Sequence, residues 1–286
     1  MFLLVGGDSE IGAATARRMA ELGIAGAATT RRHHRTGATR PFLDLGAPLD
    51  NWRPPEGTSA ACIFAGIARL AACAADPAGS ARINVAQTLT LVDRLLAHDV
   101  HVLFLSTNQV FDGLQPHLRA DAPHSPVSEY GRQKAQTEAA LIARLSQGAP
   151  IAILRLGKVV APDMALLRGW INALKQGEPI RAFRDMTLAP APAALVGEVI
   201  VALLRNRAEG IFQFTGPRDV SYAETARYLA ARFGADPRLV EETSALENGQ
   251  PVGSTPCNTT LDCSAIRERF ALQCPDAWAV LDTVTG

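Results

Sequence analysis

Over the first half of the chain, short and wholly apolar runs alternate with longer stretches whose apolar residues recur every three or four positions. Phe2–Val5, Ile24–Thr29, Ala60–Phe64, His101–Leu105 and Ile151–Leu154 read as strands. Their lack of polar alternation marks strands covered on both faces. Ile11–Leu22, Ala81–Ala97 and Glu129–Leu145 read as helices between them. Helical crossovers between buried strands are right-handed, so this pattern predicts an α/β fold with a doubly wound parallel sheet.

After Gly157 the pattern loosens. Ala165–Lys175 and Ala193–Leu204 read as helices, and Ile211–Phe214 as a late strand able to rejoin the sheet. Ser221, with Glu224 three residues on, has the form of a capping box for a helix running to Phe233. Asp236–Thr260 reads as loop-rich. The expected organisation is a dinucleotide-binding domain over 1–157, rejoined by about 186–214. Residues 158–185 and 215–286 form a smaller C-terminal lobe for substrate, over the sheet's carboxyl edge.

Composition narrows the class. Of 286 residues, 48% are hydrophobic, and Lys+Arg 28 balance Asp+Glu 28, which excludes a disordered tail and argues against nucleic acid as partner. The five cysteines, Cys62, Cys73, Cys257, Cys263 and Cys274, are irregularly spaced and suit reduced thiols rather than a disulfide frame or a metal site. The apolar run before Gly6-Gly7 is too short for a signal peptide, and no stretch reaches the roughly 18 apolar residues of a membrane span. A cytoplasmic protein with no membrane partner is expected.

Gly6-Gly7-Asp8-Ser9-Glu10-Ile11-Gly12 lies at the first strand-to-helix junction. A turn there aims backbone N–H groups and the positive end of a helix at a pyrophosphate, the arrangement of a Rossmann-type dinucleotide site. After the second strand stand Arg31 and Arg32, where NAD-specific sites more often carry a carboxylate. Guanidinium groups there can pair with a 2′-phosphate, so NADP is the expected cofactor, with NAD possible. His33-His34 diverge as neighbours and have no third ligand nearby, so no metal is expected. Asp44 and Leu45 are placed to line the adenine, Asp44 accepting from its amine.

Tyr130 and Lys134 are four residues apart on one helix face. An ammonium beside a phenol favours the phenolate, and a phenol of lowered pKa is a general acid for a carbonyl oxygen receiving hydride. Thr107 ends the fourth strand, on the edge where open sheets bind ligands, and can hold the substrate carbonyl beside Tyr130.

Together, Gly6–Gly12, Ser106–Gly113, Tyr130–Lys134, Thr215-Gly216-Pro217, Thr260–Ser264 and Cys274–Trp278 resemble the extended short-chain dehydrogenase/reductase superfamily, and within it the dTDP-4-dehydrorhamnose reductase group. The resemblance implies a catalytic triad of Thr107, Tyr130 and Lys134, with Lys134 also bonding the nicotinamide ribose and Ala65-Gly66 facing the cofactor. Asn108-Gln109 and Ala71–Ala75 depart from the group's pattern. The implied function is an NAD(P)-dependent oxidoreductase reducing the keto group of a nucleotide sugar. The alternatives are a non-catalytic cofactor-binding regulatory subunit, or an NAD-dependent sugar-nucleotide epimerase or dehydratase. Arg155, Arg168, Lys175, Arg181 and Arg184 are the candidate cations for a substrate pyrophosphate. The helices at Ala81–Ala97 and Tyr130–Leu145 are those that would pair subunits in a homodimer.

Overall fold

A computed structural model describes residues 1–162, 164–250 and 255–285. Residues 251–254 of the loop-rich stretch, and residues 163 and 286 of the expected lobe, lie outside the described residues. Along the chain run β1 (Phe2–Val5), α1 (Glu10–Glu21), β2 (Gly26–Ala28), β3 (Ala60–Ile63), α2 (Leu70–Ala75), α3 (Pro77–Ala81), α4 (Thr88–Leu96), β4 (His101–Thr107), α5 (Glu129–Leu145) and β5 (Ile151–Leu156). There follow β6 (Val159–Val160), α6 (Ala165–Lys175), β7 (Ile180–Phe183), β8 (Thr187–Leu188), β9 (Ala191–Pro192), α7 (Ala193–Arg205), β10 (Gly210–Phe214), β11 (Val220–Ser221), α8 (Tyr222–Arg232), β12 (Val240–Thr243), α9 (Ser264–Phe270) and α10 (Ala277–Thr285).

Six strands form one parallel sheet in the order β10-β5-β4-β3-β1-β2. Successive strand residues point to opposite faces, which divides the core in two. Leu4, Cys62, Leu103 and Leu154 pack with α7 on one face, and that cluster runs on to α6 and α8. Leu3, Val5, Ile63, Val102 and Ile153 pack with Leu91 and Leu95 of α4 and Leu141 of α5 on the other. Around β1 the chain turns first to β2 and then to β3 on the opposite side. That reversal opens a crevice at the carboxyl ends of the strands, where open α/β sheets take ligands.

Close approach ties the outer helices down. A Cβ on Gly197 of α7 would lie 3.0 Å from the backbone of Ala14 and Thr15 in α1, so only glycine allows this contact. Arg18 of α1 and Glu198 of α7 pair beside it at 2.8 Å. No described helix is long and apolar enough to cross a membrane.

The structure differs from the sequence expectation at three places. The strand expected at Ile24–Thr29 is only Gly26–Ala28, because Ile24 donates its N–H to the Met19 carbonyl in the exit from α1. The helix expected over Ala81–Ala97 is interrupted by a π-helical stretch, Arg82–Gln87. Its wider turn buries Asn84, whose amide makes tertiary bonds. Inside the loop-rich stretch, Val240–Thr243 forms a strand parallel to β7. A short strand with only half-buried and exposed residues carries no apolar signature.

Beneath α5 lies a buried ion pair. The Arg155 guanidinium on β5 meets the Glu138 carboxylate of α5 at 2.7 Å, and both side chains are almost wholly out of water. Arg155 also donates to the Ala120 carbonyl and to Gln213 Oε1, and His124 Nε2 lies 2.9 Å from Glu138. Burial by itself raises the Glu138 pKa, but the bonds from His124 and Arg155 outweigh it and hold the carboxyl below its usual value. Removing one member leaves the other charge buried alone. Arg155→Leu is therefore expected to lower the unfolding free energy by about 3–5 kcal/mol, and adding Glu138→Leu to recover at least about 1 kcal/mol of it, as read by chemical denaturation.

Candidate active site

A groove of about 420 Å³ runs across the carboxyl ends of β1, β2 and β3. Gly6, Asp8 and Ser9 line it on one side, Thr30, Arg31 and Arg32 follow β2, and Asp44, Leu45, Ala65 and Gly66 stand on the remaining walls. The glycine-rich turn is built for close approach. Gly6 has φ +87°, and a Cβ there would come within 2.8 Å of Ala65 N. Ser9 stands where a glycine is usual because it caps α1: its hydroxyl accepts from Gly12 N at 3.1 Å.

Gly7, Glu10, Ile11 and Gly12 support this turn from behind rather than line the groove. A Cβ on Gly7 would collide with Ala28 of β2 at 2.5 Å, and one on Gly12 with Gly7 Cα at 2.9 Å. Glu10 begins α1 and interacts with Lys158, while Ile11 packs against the core. Asp44 Oδ1 accepts from Gly46 N at 2.8 Å, which fixes the carboxylate in the wall. The α1 N-terminus, the small residues before it and the arginines after β2 suit the pyrophosphate and adenosine of a dinucleotide.

Tyr130 and Lys134 share one face of α5. Lys134 Nζ donates to the Leu105 carbonyl of β4 at 2.8 Å, lies 4.3 Å from the Phe104 ring centroid and 5.9 Å from that of Tyr130. Burial brings the ammonium down to about 8, against the opposing pull of the Glu138 carboxylate. The phenol departs from the sequence expectation: burial, and then the Cys73 thiol, push the Tyr130 pKa up rather than down. The ammonium is committed to a strand carbonyl, so desolvation decides the phenol. Thr107 is buried at the end of β4, and its hydroxyl accepts from Gln109 N at 3.2 Å and donates to Asn108 Oδ1 at 3.3 Å.

Several supporting residues carry no motif signal. Asn84 Oδ1 accepts from Ile67 N at 2.7 Å, and its amide donates to the Ile67 carbonyl and to Gln133 Oε1. Gln133 in turn donates to Ser80 Oγ at 2.8 Å. This knot ties the Gly66–Ile67 wall of the groove to α5, next to Lys134. The signal that could have found it is the lone Asn within an otherwise apolar helix face. Asp8 was readable only as a spacer in the glycine-rich turn, yet it lines the groove.

Of the candidate pyrophosphate cations, Arg155 is excluded by its burial against Glu138. Arg181 pairs with Glu241, Arg184 with Glu247, and Lys175 lies over the Phe233 ring. Arg168 is exposed on α6.

A family model described as RmlD substrate binding domain matches residues 1–284. The dTDP-4-keto-6-deoxy-D-glucose reductase of Streptomyces niveus is 27% identical over 181 residues, 63% of this chain and 58% of that protein, so the chain matches less than two thirds of that relative's length. The dTDP-4-dehydrorhamnose reductase of Burkholderia thailandensis is 26% identical over 293 residues, covering 96% of this chain and 94% of that protein. Among solved structures, a dTDP-4-dehydrorhamnose reductase from Bacillus anthracis in complex with NADP shares the fold at a TM-score of 0.82 and 15% identity, over 99% of this chain and 97% of that one.

The buried ammonium has a measurable cost. The folded pKa of Lys134, about 8, lies below its ordinary 10.5. The penalty is thus fully present below pH 8 and fades as the pH rises toward 10.5. Its ceiling is about 3 kcal/mol, offset by the bond to Leu105. Lys134→Met is expected to raise the unfolding free energy at pH 7 by about 1–2 kcal/mol, with the gain shrinking above pH 8, as followed by denaturant melts across pH.

Proposed function

The chain belongs to the RmlD substrate-binding-domain family, and from that premise we propose that it is an NADP-dependent oxidoreductase reducing the keto group of a nucleotide sugar, a dTDP-4-dehydrorhamnose reductase-like activity. The observation that carries the reading is the Lys134 ammonium, held at the Leu105 carbonyl and one helical turn from Tyr130. The cofactor, when bound, supplies the hydride. Gly6 and Ser9 would hold its pyrophosphate at the start of α1, Arg31 and Arg32 would pair with the 2′-phosphate, and Asp44 and Leu45 would take the adenine.

Tyr130 is the general acid. The phenol is protonated through neutral pH, the form a reduction requires, and the Lys134 charge must offset the weakening that burial imposes on it as an acid. Lys134 presents a positive charge to the developing phenolate and holds the nicotinamide ribose. That charge is lost as the pH passes about 8, so proton donation weakens on the alkaline side. Thr107 turns its hydroxyl from Asn108 toward the keto oxygen and orients it. The lobe expected over residues 158–185 and 215–286 is the part of the chain that would meet the sugar nucleotide.

The test is Tyr130→Phe with NADPH and a panel of 4-keto nucleotide sugars. NADPH affinity is expected to stay within about twofold, while turnover falls by about 10²–10⁴-fold. Full turnover in the variant, or no NADPH consumption by the wild type with any member of the panel, would sink the reading.

A further inference from the structure

At the end of β2, where a carboxylate for the ribose hydroxyl commonly stands, this chain carries Thr29, Thr30, Arg31 and Arg32. A carboxylate reaches the place from the opposite wall. Asp8, in the glycine-rich turn, accepts from Thr30 Oγ1 at 2.7 Å, is bonded by Arg40 and lies 3.9 Å from Arg35. Asp8, Thr30, Arg31 and Arg32 all line the same groove, between the pyrophosphate turn and the adenine wall at Leu43–Gly46.

The loop that delivers the arginines is folded back on itself. Gly37 and Arg40 form a backbone bridge, Thr30 bridges to Phe42, and the His33 ring stacks on Phe42 at 4.0 Å. Arg35 and Arg40 thereby reach the glycine-rich turn, with Asp8 as their counter-charge. The Thr30 hydroxyl and the neighbouring guanidinium groups keep that carboxyl ionised, below its usual value.

We infer that Asp8 is the residue that lets this groove accept NAD as well as NADP. This rests on the cofactor reading of the groove. With NAD, the Asp8 carboxylate accepts a hydrogen bond from the ribose 2′-hydroxyl. With NADP, it repels the 2′-phosphate and competes with it for Arg40 and Arg35. Arg31 and Arg32, which line the groove, would by themselves favour NADP, and the Asp8 carboxylate beside them levels the two cofactors.

The probes are 2′,5′-ADP and 5′-AMP, which carry the discriminating end of each cofactor, titrated calorimetrically beside NADPH and NADH. Wild type is expected to bind the two fragments within about tenfold of each other, since a charge pair near the surface is worth about 1–4 kcal/mol and the attractive and repulsive contributions oppose. A wild-type preference for 2′,5′-ADP above about 100-fold overturns the inference without any variant. Asp8→Asn keeps an acceptor for Thr30 and removes the charge. It is expected to raise the ratio of 2′,5′-ADP to 5′-AMP affinity by about tenfold, and a rise below about threefold, or a fall, overturns the inference. If the fragments bind and the ratio stays put, Asp8 alone is misassigned. If neither the fragments nor the dinucleotides bind, the cofactor reading fails and takes this assignment with it.

Discussion

The candidate chemistry depends on one contact, the bond from a buried ammonium to the carbonyl of Leu105. A lysine out of water keeps its charge only where acceptors and ring faces replace its hydration. Here the replacements are a strand carbonyl, the Phe104 ring and, one turn back, the Tyr130 ring. The contact requires α5 to lie hard against the end of β4. Gly131 makes this feasible, since a Cβ there would come within 2.2 Å of the Gln109 carbonyl. Ser128, which caps the helix through Gly131 N, is held by Gln109 Oε1. The motif thus owes its geometry to glycine and cap residues as much as to its two chemical groups.

The same economy governs the groove. Each glycine of the first turn is needed for a different neighbour: Gly6 for Ala65, Gly7 for β2, Gly12 for the turn itself. Ser9 replaces a glycine without blocking the turn because its side chain folds back onto the helix it starts. Asn84 fixes the facing wall from within the π-helical stretch, an irregularity of a kind often found at functional sites. The wall and α5 are therefore one hydrogen-bonded unit.

What the sequence made legible was whatever repeats or sits beside its partner in the chain. α5 begins and ends at Glu129 and Leu145 as its periodicity and flanking Ser128 imply, and the Ser221–Glu224 capping box forms in full. Residues whose partners are remote stayed hidden. Glu138 looks like a solvent-facing helix acid until Arg155 arrives from β5, and Asp8 looks like a spacer until a loop some thirty residues later folds over it. The sense of the Tyr130 shift was missed for the same reason. Helical spacing announces the nearby lysine, but not the burial that withdraws the phenol from water.

The strand order has a bearing on how the molecule is made. Every residue lining the groove lies between Gly6 and Ile83, in the part of the chain synthesised first. The sheet edge formed by β10, and the pairing of β12 with β7, must wait for residues beyond 209 and 239. Until then Gln213 is not there to meet Arg155, and the edge of β5 that β10 covers stands open to other chains. A nascent chain can therefore gather the groove well before its C-terminal strands exist, and the interval is when the open edge of β5 most needs shielding.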